Sequence, residues 1–220
     1  DKEPYKNRLK WAEENIELIK SIGRSPHENL TWTDAEDPWM FRATCSEISK
    51  MHDEGSSFRT TLPISMDATN QGLQIYSMLL LDPKGAASVN VTPGDRPRSI
   101  YGAVAEIVNR KLKSSDDPYA QRWIDFGVDS RATKRPTMTL VYGSTFYSCR
   151  TYTADWFYDQ LKSGKQNPFG DETYRPCNFL ARIIWESIDE QVHAARVGMD
   201  WLRKCATLFV DNKITPRWVT

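Results

Sequence analysis

The chain has 220 residues, 40% of them hydrophobic and 26% charged, which is a globular composition with apolar side chains enough for a core of about one or two domains. Its 29 Lys and Arg balance its 29 Asp and Glu, so a protein of this charge that works on nucleic acid must do so through local basic clusters, not an overall basic footprint. No apolar run approaches the about 18 residues that cross a bilayer, and the first residues, Asp1-Lys2-Glu3-Pro4-Tyr5, have neither an initiating Met nor a signal-peptide core. No membrane partner is expected, and the chain is expected to be a piece of a longer one.

In chain order, Leu9, Ala12, Ile16 and Ile19 recur at helical spacing between Arg8 and Ile22, closed by Gly23. A loop with Ser25-Pro26 follows. Asp37-Pro38, a cap followed by proline, opens a helix toward Met51. Leu62, Ile64 and Met66 then alternate with Thr61, Pro63 and Ser65 as in a strand, with Pro63 placing it at an edge or a strand start. The strand ends at Asp67. A helix is predicted from about Gln71 to Leu81, then a loop over 84–96 with a short extended piece at Ser88–Val91. Pro97 opens a helix through Ile100, Val104, Ile107 and Leu112. A short helix over 118–126 closes at Gly127, and Asp129 or Ser130 caps another running toward Tyr142. After a polar loop at 163–176, the apolar stripe from Leu180 through Ile184, Ile188, Val192, Ala195, Met199 and Leu202 to Phe209 predicts one long helix with that stripe in the core. Arg217-Trp218-Val219 resembles the start of a strand. The fold class expected is α+β, mostly helical with a small sheet.

Cys45, Cys149, Cys177 and Cys205 form no C-x-x-C pair, and free thiols in a reducing compartment are expected in preference to a disulfide framework or a zinc site. His27, His52 and His193 stand in no metal-binding spacing and are expected to be surface or structural residues.

Two segments carry chemistry. In Pro63-Ile64-Ser65-Met66-Asp67-Ala68-Thr69-Asn70-Gln71-Gly72-Leu73-Gln74 an apolar strand delivers one carboxylate just before a helix. Phosphoryl transfer needs acidic ligands held rigidly for magnesium, and a strand end is a stiff support. The ordinary alternative is a helix cap or turn residue. In Ser130-Arg131-Ala132-Thr133-Lys134-Arg135-Pro136-Thr137-Met138-Thr139-Leu140-Val141-Tyr142-Gly143-Ser144, the residues Arg131, Lys134, Met138 and Tyr142 share one helix face. Cations near the start of a helix, where amides and dipole already favour phosphate, make a triphosphate platform. The alternative is a solvated cationic face with Tyr142 in the core.

Together, in this order, the two segments resemble motifs A and B of right-hand polymerases, with Lys-x7-Tyr-Gly on a fingers helix and Asp in the palm. The flanking Ala87-Ser88-Val89-Asn90, Ile100-Tyr101-Gly102-Ala103-Val104-Ala105, Ile184-Trp185-Glu186-Ser187 and Ser25-Pro26-His27-Glu28-Asn29 resemble the phage- and mitochondrial-type, single-subunit DNA-directed RNA polymerases, so the likeness covers essentially the whole chain. The resemblance implies a partial palm and fingers with a small antiparallel sheet. Residues 1–96 would be palm-like with motif A, and 97–220 fingers-like with motif B and a long helix returning toward the palm. It implies templated ribonucleotidyl transfer by a two-metal mechanism on a DNA template, with an RNA transcript and ribonucleoside triphosphates as partners, by an enzyme monomeric at full length.

Residue by residue, the resemblance implies that Asp67 would bind both magnesium ions and Ala68 would offer its carbonyl to one. Lys134 would pair with the triphosphate and serve catalysis beside Asp67. Tyr142 would sit by the incoming ribose, and Lys2, Arg131 and Arg135 would meet phosphate. DNA polymerases of the same architecture typically carry a gating glutamate where this chain has Gly72, which has no side chain to act as a gate, so RNA synthesis is the expected chemistry. The sequence departs from the family at Ser130, where an arginine is usual, and at Pro136 inside the helix; one residue turns a side chain by about 100°. The family's second catalytic aspartate, in a His-Asp-Ser motif, does not occur in this chain. An isolated segment is therefore expected to be an inactive nucleotide-binding helical scaffold. Compactness and the lack of a long insertion before motif B favour a phage enzyme in the cytoplasm of its host, with the mitochondrial matrix as the alternative.

Overall fold

The computed structural model describes residues 3–63 and 68–217. The chain divides into two compact units, Asp1–Asp67 with Asp95–Pro97 and Ala68–Gly94 with Arg98–Thr220.

In the first unit the single helix expected from Arg8 to Ile22 is two, α1 (Tyr5–Glu14) and α2 (Ile16–Arg24). Asn15 separates them: its side-chain amide donates to the Trp11 carbonyl at 2.8 Å, the local bond with which asparagine competes against a continuous helix. Helix α3 (Pro38–Glu54) starts at the expected signal, with the Asp37 carboxylate accepting from the Met40 N–H and Pro38 in the first turn. Ile19 and Ile22 of α2 pack with Cys45 of α3 and with Trp32, whose indole N–H donates to the Pro26 carbonyl at 2.9 Å.

The second unit is built from eight helices among the described residues. They are α4 (Gln71–Leu79), α5 (Pro83–Ser88), α6 (Ile100–Lys113), α7 (Pro118–Phe126), α8 (Ser130–Leu140), α9 (Phe146–Lys162), α10 (Tyr174–Gln191) and α11 (His193–Asp211). Short polar side chains cap six of them. Asn70, Asp82, Ser99, Asp117, Asp129 and Thr145 each accept a backbone N–H from the first turn. The core runs along α10, where Leu180, Ile184 and Ile188 are buried against Val104 and Val108 of α6, Leu140 of α8 and Phe157 of α9. Trp123 of α7 is fully buried, donates its indole N–H to the Pro176 carbonyl at 3.1 Å, and stacks against Phe169 (4.6 Å between ring centres) and Phe157 (5.3 Å).

The α+β expectation is corrected. Among the described residues there is no strand and no antiparallel sheet, and the architecture is helical. A ladder needs a partner strand with free backbone groups. The second extended piece expected, Ser88–Val91, is instead the end of α5, where the Val89 N–H bonds to Gly85 and the Val91 N–H to the Ala86 carbonyl. Residues 64–67 of the expected strand, and Trp218-Val219 of the other, lie outside the described residues.

Two further helices differ from expectation. Helix α9 was not anticipated, because its buried face, Cys149, Thr153, Trp156, Phe157 and Gln160, is set at helical spacing but made partly of polar types. The long final helix breaks at Val192 into α10 and α11. Only Ala195 and Met199 of α11 are buried, so Leu202 and Phe209 of the expected stripe are exposed.

All four cysteines are free thiols. Burial pushes Cys149 and Cys177 up to about 12 and also raises Cys45. Thiols held that far above their ordinary value stay protonated and unreactive. Alkylation under mildly alkaline native conditions, mapped by mass spectrometry, is expected to label half-exposed Cys205 first and to leave Cys149 and Cys177 unmodified until the protein unfolds.

Candidate nucleotide-binding helix

Helix α8 buries one face, Ala132, Thr133, Pro136, Thr137 and Leu140, and turns Arg131, Lys134, Arg135 and Met138 outward. The buried face is fixed to its neighbours. Thr133 donates its hydroxyl to the Tyr101 carbonyl of α6 at 2.7 Å, and Pro136 is buried with the helix continuous from Ser130 through it. Proline removes the amide that would bond to the Ala132 carbonyl, yet the regular helix begins six residues earlier, at Ser130.

The three cations on the outer face differ in what they hold. Arg131 is tied back to the capping carboxylate: its Nε donates to Asp129 Oδ2 at 2.8 Å and a terminal nitrogen lies 2.7 Å from the same oxygen. Burial works to raise the Asp129 carboxyl, and the Arg131 hydrogen bond and charge outweigh it, leaving the group below its ordinary value. The helix dipole at this end is thus already met by Asp129. Arg135 spans to α9, pairing with Asp155 at 3.1 Å and lying 4.1 Å over the Tyr152 ring. Lys134, between them, is exposed and has no hydrogen-bond or ion-pair partner among the described residues.

At the far end, Tyr142 is 79% exposed, which overturns the alternative that placed it in the core. Gly143 holds it there. With φ +84, Gly143 donates to the Leu140 carbonyl while Ser144 donates to Thr139, the paired bonds of a Schellman cap that only a left-handed residue closes cheaply. Met138 is also exposed, so the outer face carries an aliphatic and an aromatic side chain beyond the lysine.

Of the motif A residues, Asp67 lies outside the described residues, as does Lys2. Ala68 is exposed and its carbonyl accepts the Asn70 N–H at 2.8 Å. Asn70, at φ 64, caps α4 through Leu73. Gly72 sits in the first turn of α4 against the side chain of Val141, so the structure brings Gly72 beside the end of α8. Among the described residues no three His, Cys, Asp or Glu side chains gather as a metal site.

Asn90 was not singled out from the sequence. It stands at φ 61, its amide donates to Thr69 Oγ1 (3.0 Å) and to the Arg98 carbonyl (2.8 Å), and its oxygen accepts the Arg98 N–H (2.7 Å). No pattern marks such a residue, since its partners are distant in sequence. Other basic residues make internal contacts: Arg98 donates to the carbonyls of Thr92 and Pro93, and Arg110 and Lys111 pair with Glu190.

The outer side of α8 and the turn after it thus present an exposed lysine, with no partner among the described residues, and an exposed tyrosine. Residues 1–218 match the family described as DNA-dependent RNA polymerase, and the chain belongs to that family. It is 32% identical to T7 RNA polymerase of Escherichia phage T7 over 94% of its length and 27% of that enzyme. It is 31% identical to the DNA-directed RNA polymerase of Pseudomonas phage phiKMV over 100% of the chain and 28% of the relative. It is 36% identical to the mitochondrial DNA-directed RNA polymerase of Neurospora crassa over 92% and 14%. The chain therefore spans about a quarter or less of the length of these relatives. No described helix is long and apolar enough to cross a membrane.

Because Asp129 is depressed in the folded chain, the stability it lends is present above its unfolded value and is lost as pH falls through the folded one. Acidification is expected to loosen the first turn of α8, by less than about 1 kcal/mol for so exposed a pair. Amide exchange at Arg131 and Ala132 should show this, and Asp129→Asn, which keeps the cap, should remove the pH dependence.

Proposed function

We propose that this segment supplies the motif A and motif B part of a DNA-directed RNA polymerase, which extends RNA on a DNA template with ribonucleoside triphosphates. The observation that carries it is Lys134, an exposed cation with no partner among the described residues, on the helix that leads into the turn holding the exposed, glycine-fixed Tyr142. In this reading Lys134 holds the triphosphate and offsets the charge that develops on the departing pyrophosphate, and Tyr142 lies by the incoming ribose. Arg131 reaches phosphate only by exchanging Asp129 for it, and Arg135 chiefly fixes α8 to α9. Lys2 contributes to the triphosphate site.

We assign residues 1–96 to the palm side and 97–220 to the fingers side. Helices α4 and α5 join them, through Lys84, which donates to the Glu190 carbonyl, and Ser88, which pairs with Gln191. The family's magnesium would supply Lewis-acid stabilisation of the attacking and leaving oxygens. Asp67 and the Ala68 carbonyl are oxygen donors of the kind magnesium takes, but one carboxylate is too few for two ions. The second aspartate belongs to another part of the polymerase. The enzyme works as a monomer in the cytoplasm of a phage-infected host.

Two outcomes test this. In the whole polymerase, Lys134→Ala is expected to lower kcat/KM for nucleotide incorporation by roughly 10²–10³-fold with the fold retained, and Asp67→Asn to abolish extension; wild-type rates in either would sink the assignment of that residue. Residues 1–220 alone should extend no primer under conditions in which the whole chain does, and measured synthesis by the segment would overturn the division of the metal site.

A further inference from the structure

The first turn of α4 approaches the end of α8 more closely than any side chain at position 72 allows. A β-carbon on Gly72 would lie 2.5 Å from Val141 Cγ2, 2.9 Å from its Cβ and 3.3 Å from its Cγ1. Rotating Val141 relieves only the γ-carbons, because its Cβ does not move with χ1, and a β-branched side chain has few rotamers to offer. The conflict passes to the backbone of Val141. Val141 is the cap residue that follows α8, in helical conformation, and the next residue is Tyr142. The two sides are otherwise firmly anchored. Leu73, next to Gly72, is buried, Asn70 caps the same turn, and on the other side Leu140 is fully buried and Gly143 closes the helix.

We infer that Gly72 is a positioning residue: its contact with Val141 sets where Tyr142 stands, and thereby how the nucleotide sugar is read. This rests on the nucleotide-binding role proposed for Tyr142. It differs from a role in which Gly72 simply leaves space for the ribose, because here the effect travels through Val141.

The test is a cycle in the whole polymerase of wild type, Gly72→Ala, Val141→Ala and the double variant. Each is measured for kcat and KM with ribo- and deoxyribonucleoside triphosphates on a primed template and for thermal midpoint. Gly72→Ala is expected to raise KM more than it lowers kcat, to erode the preference for ribonucleotides, and to reduce kcat/KM on the order of ten- to a hundred-fold. Val141→Ala alone should stay near wild type. The double variant should recover part of the loss in KM and in sugar preference, since alanine at 141 removes both γ-carbon conflicts and leaves only the one with Cβ. Val141→Ile, which enlarges the other side of the contact, should shift KM and sugar preference in the same direction as Gly72→Ala, and this arm holds if Gly72→Ala does not fold. The inference is overturned if Gly72→Ala is neutral, if its defect is the same with alanine at 141, or if Val141→Ile leaves both readouts unchanged. A wild-type chain that extends no RNA overturns the polymerase reading and with it the role of Tyr142. Strictly additive thermal midpoints across the cycle overturn the Gly72–Val141 contact alone.

Discussion

Burial of Ala132, Thr133, Pro136, Thr137 and Leu140 determines where every other side chain of α8 points. With that face held against α6, α9 and α10, a period of 3.6 residues leaves Arg131, Lys134 and Met138 on the outside, and Tyr142 follows in the exposed turn. The Thr133 hydroxyl bond to the Tyr101 carbonyl ties this face to α6. Pro136 costs an amide in this helix but no exposed function, because its ring is spent in the core. The exposure of the outer face is thus a consequence of packing on the inner one.

Electrostatics then sorts the outer face. Several cations near α8 and elsewhere in the second unit are paired: Arg110 and Lys111 with Glu190, Arg131 with Asp129, Arg135 with Asp155. Exposed pairs like these add little stability, about 0–1 kcal/mol each, but they fix geometry and remove neighbours that would compete for an anion. Lys134 is left as the point of positive charge on its helix face. That local contrast, and not an overall basic character, is what a phosphate would find.

The sequence made α8 legible because its signals are local. The Asp129 cap, the helical spacing of its cations and the Tyr-Gly terminus need no knowledge of the rest of the chain. The expected sheet failed for the opposite reason. A strand needs a partner that alternation alone does not supply: the candidate at 88–91 is consumed as a helix end, and residues 64–66 of the other lie outside the described residues. Helix α9 escaped notice because Thr153 and Gln160 are buried as if apolar, with Thr153 satisfied by its own helix through the Cys149 carbonyl. Tyr142 could be read as core or surface until its exposure was known, and Asn90 could not be read at all, since its three hydrogen bonds join positions 69, 90 and 98 only after folding. Lysine at 134 was legible as a cation; that its two arginine neighbours are already occupied was not.

Gly72 shows how a motif position can carry two constraints at once. From the sequence its meaning was what it lacks, a side chain to exclude the ribose hydroxyl. In the fold the same lack permits the start of α4 to meet Val141 at a distance no β-carbon tolerates. Any residue large enough to act as a sugar gate at this position would first have to displace Val141, and through it the end of α8. A polymerase that carries a glutamate there therefore needs a different residue or a different backbone at the position of Val141. Under the proposed function, the choice of ribonucleotides is then not a matter of one missing side chain. On the inference drawn for Gly72 it depends also on the packing of two helices, so exchanging Gly72 alone would disturb the nucleotide site before it could re-specify it.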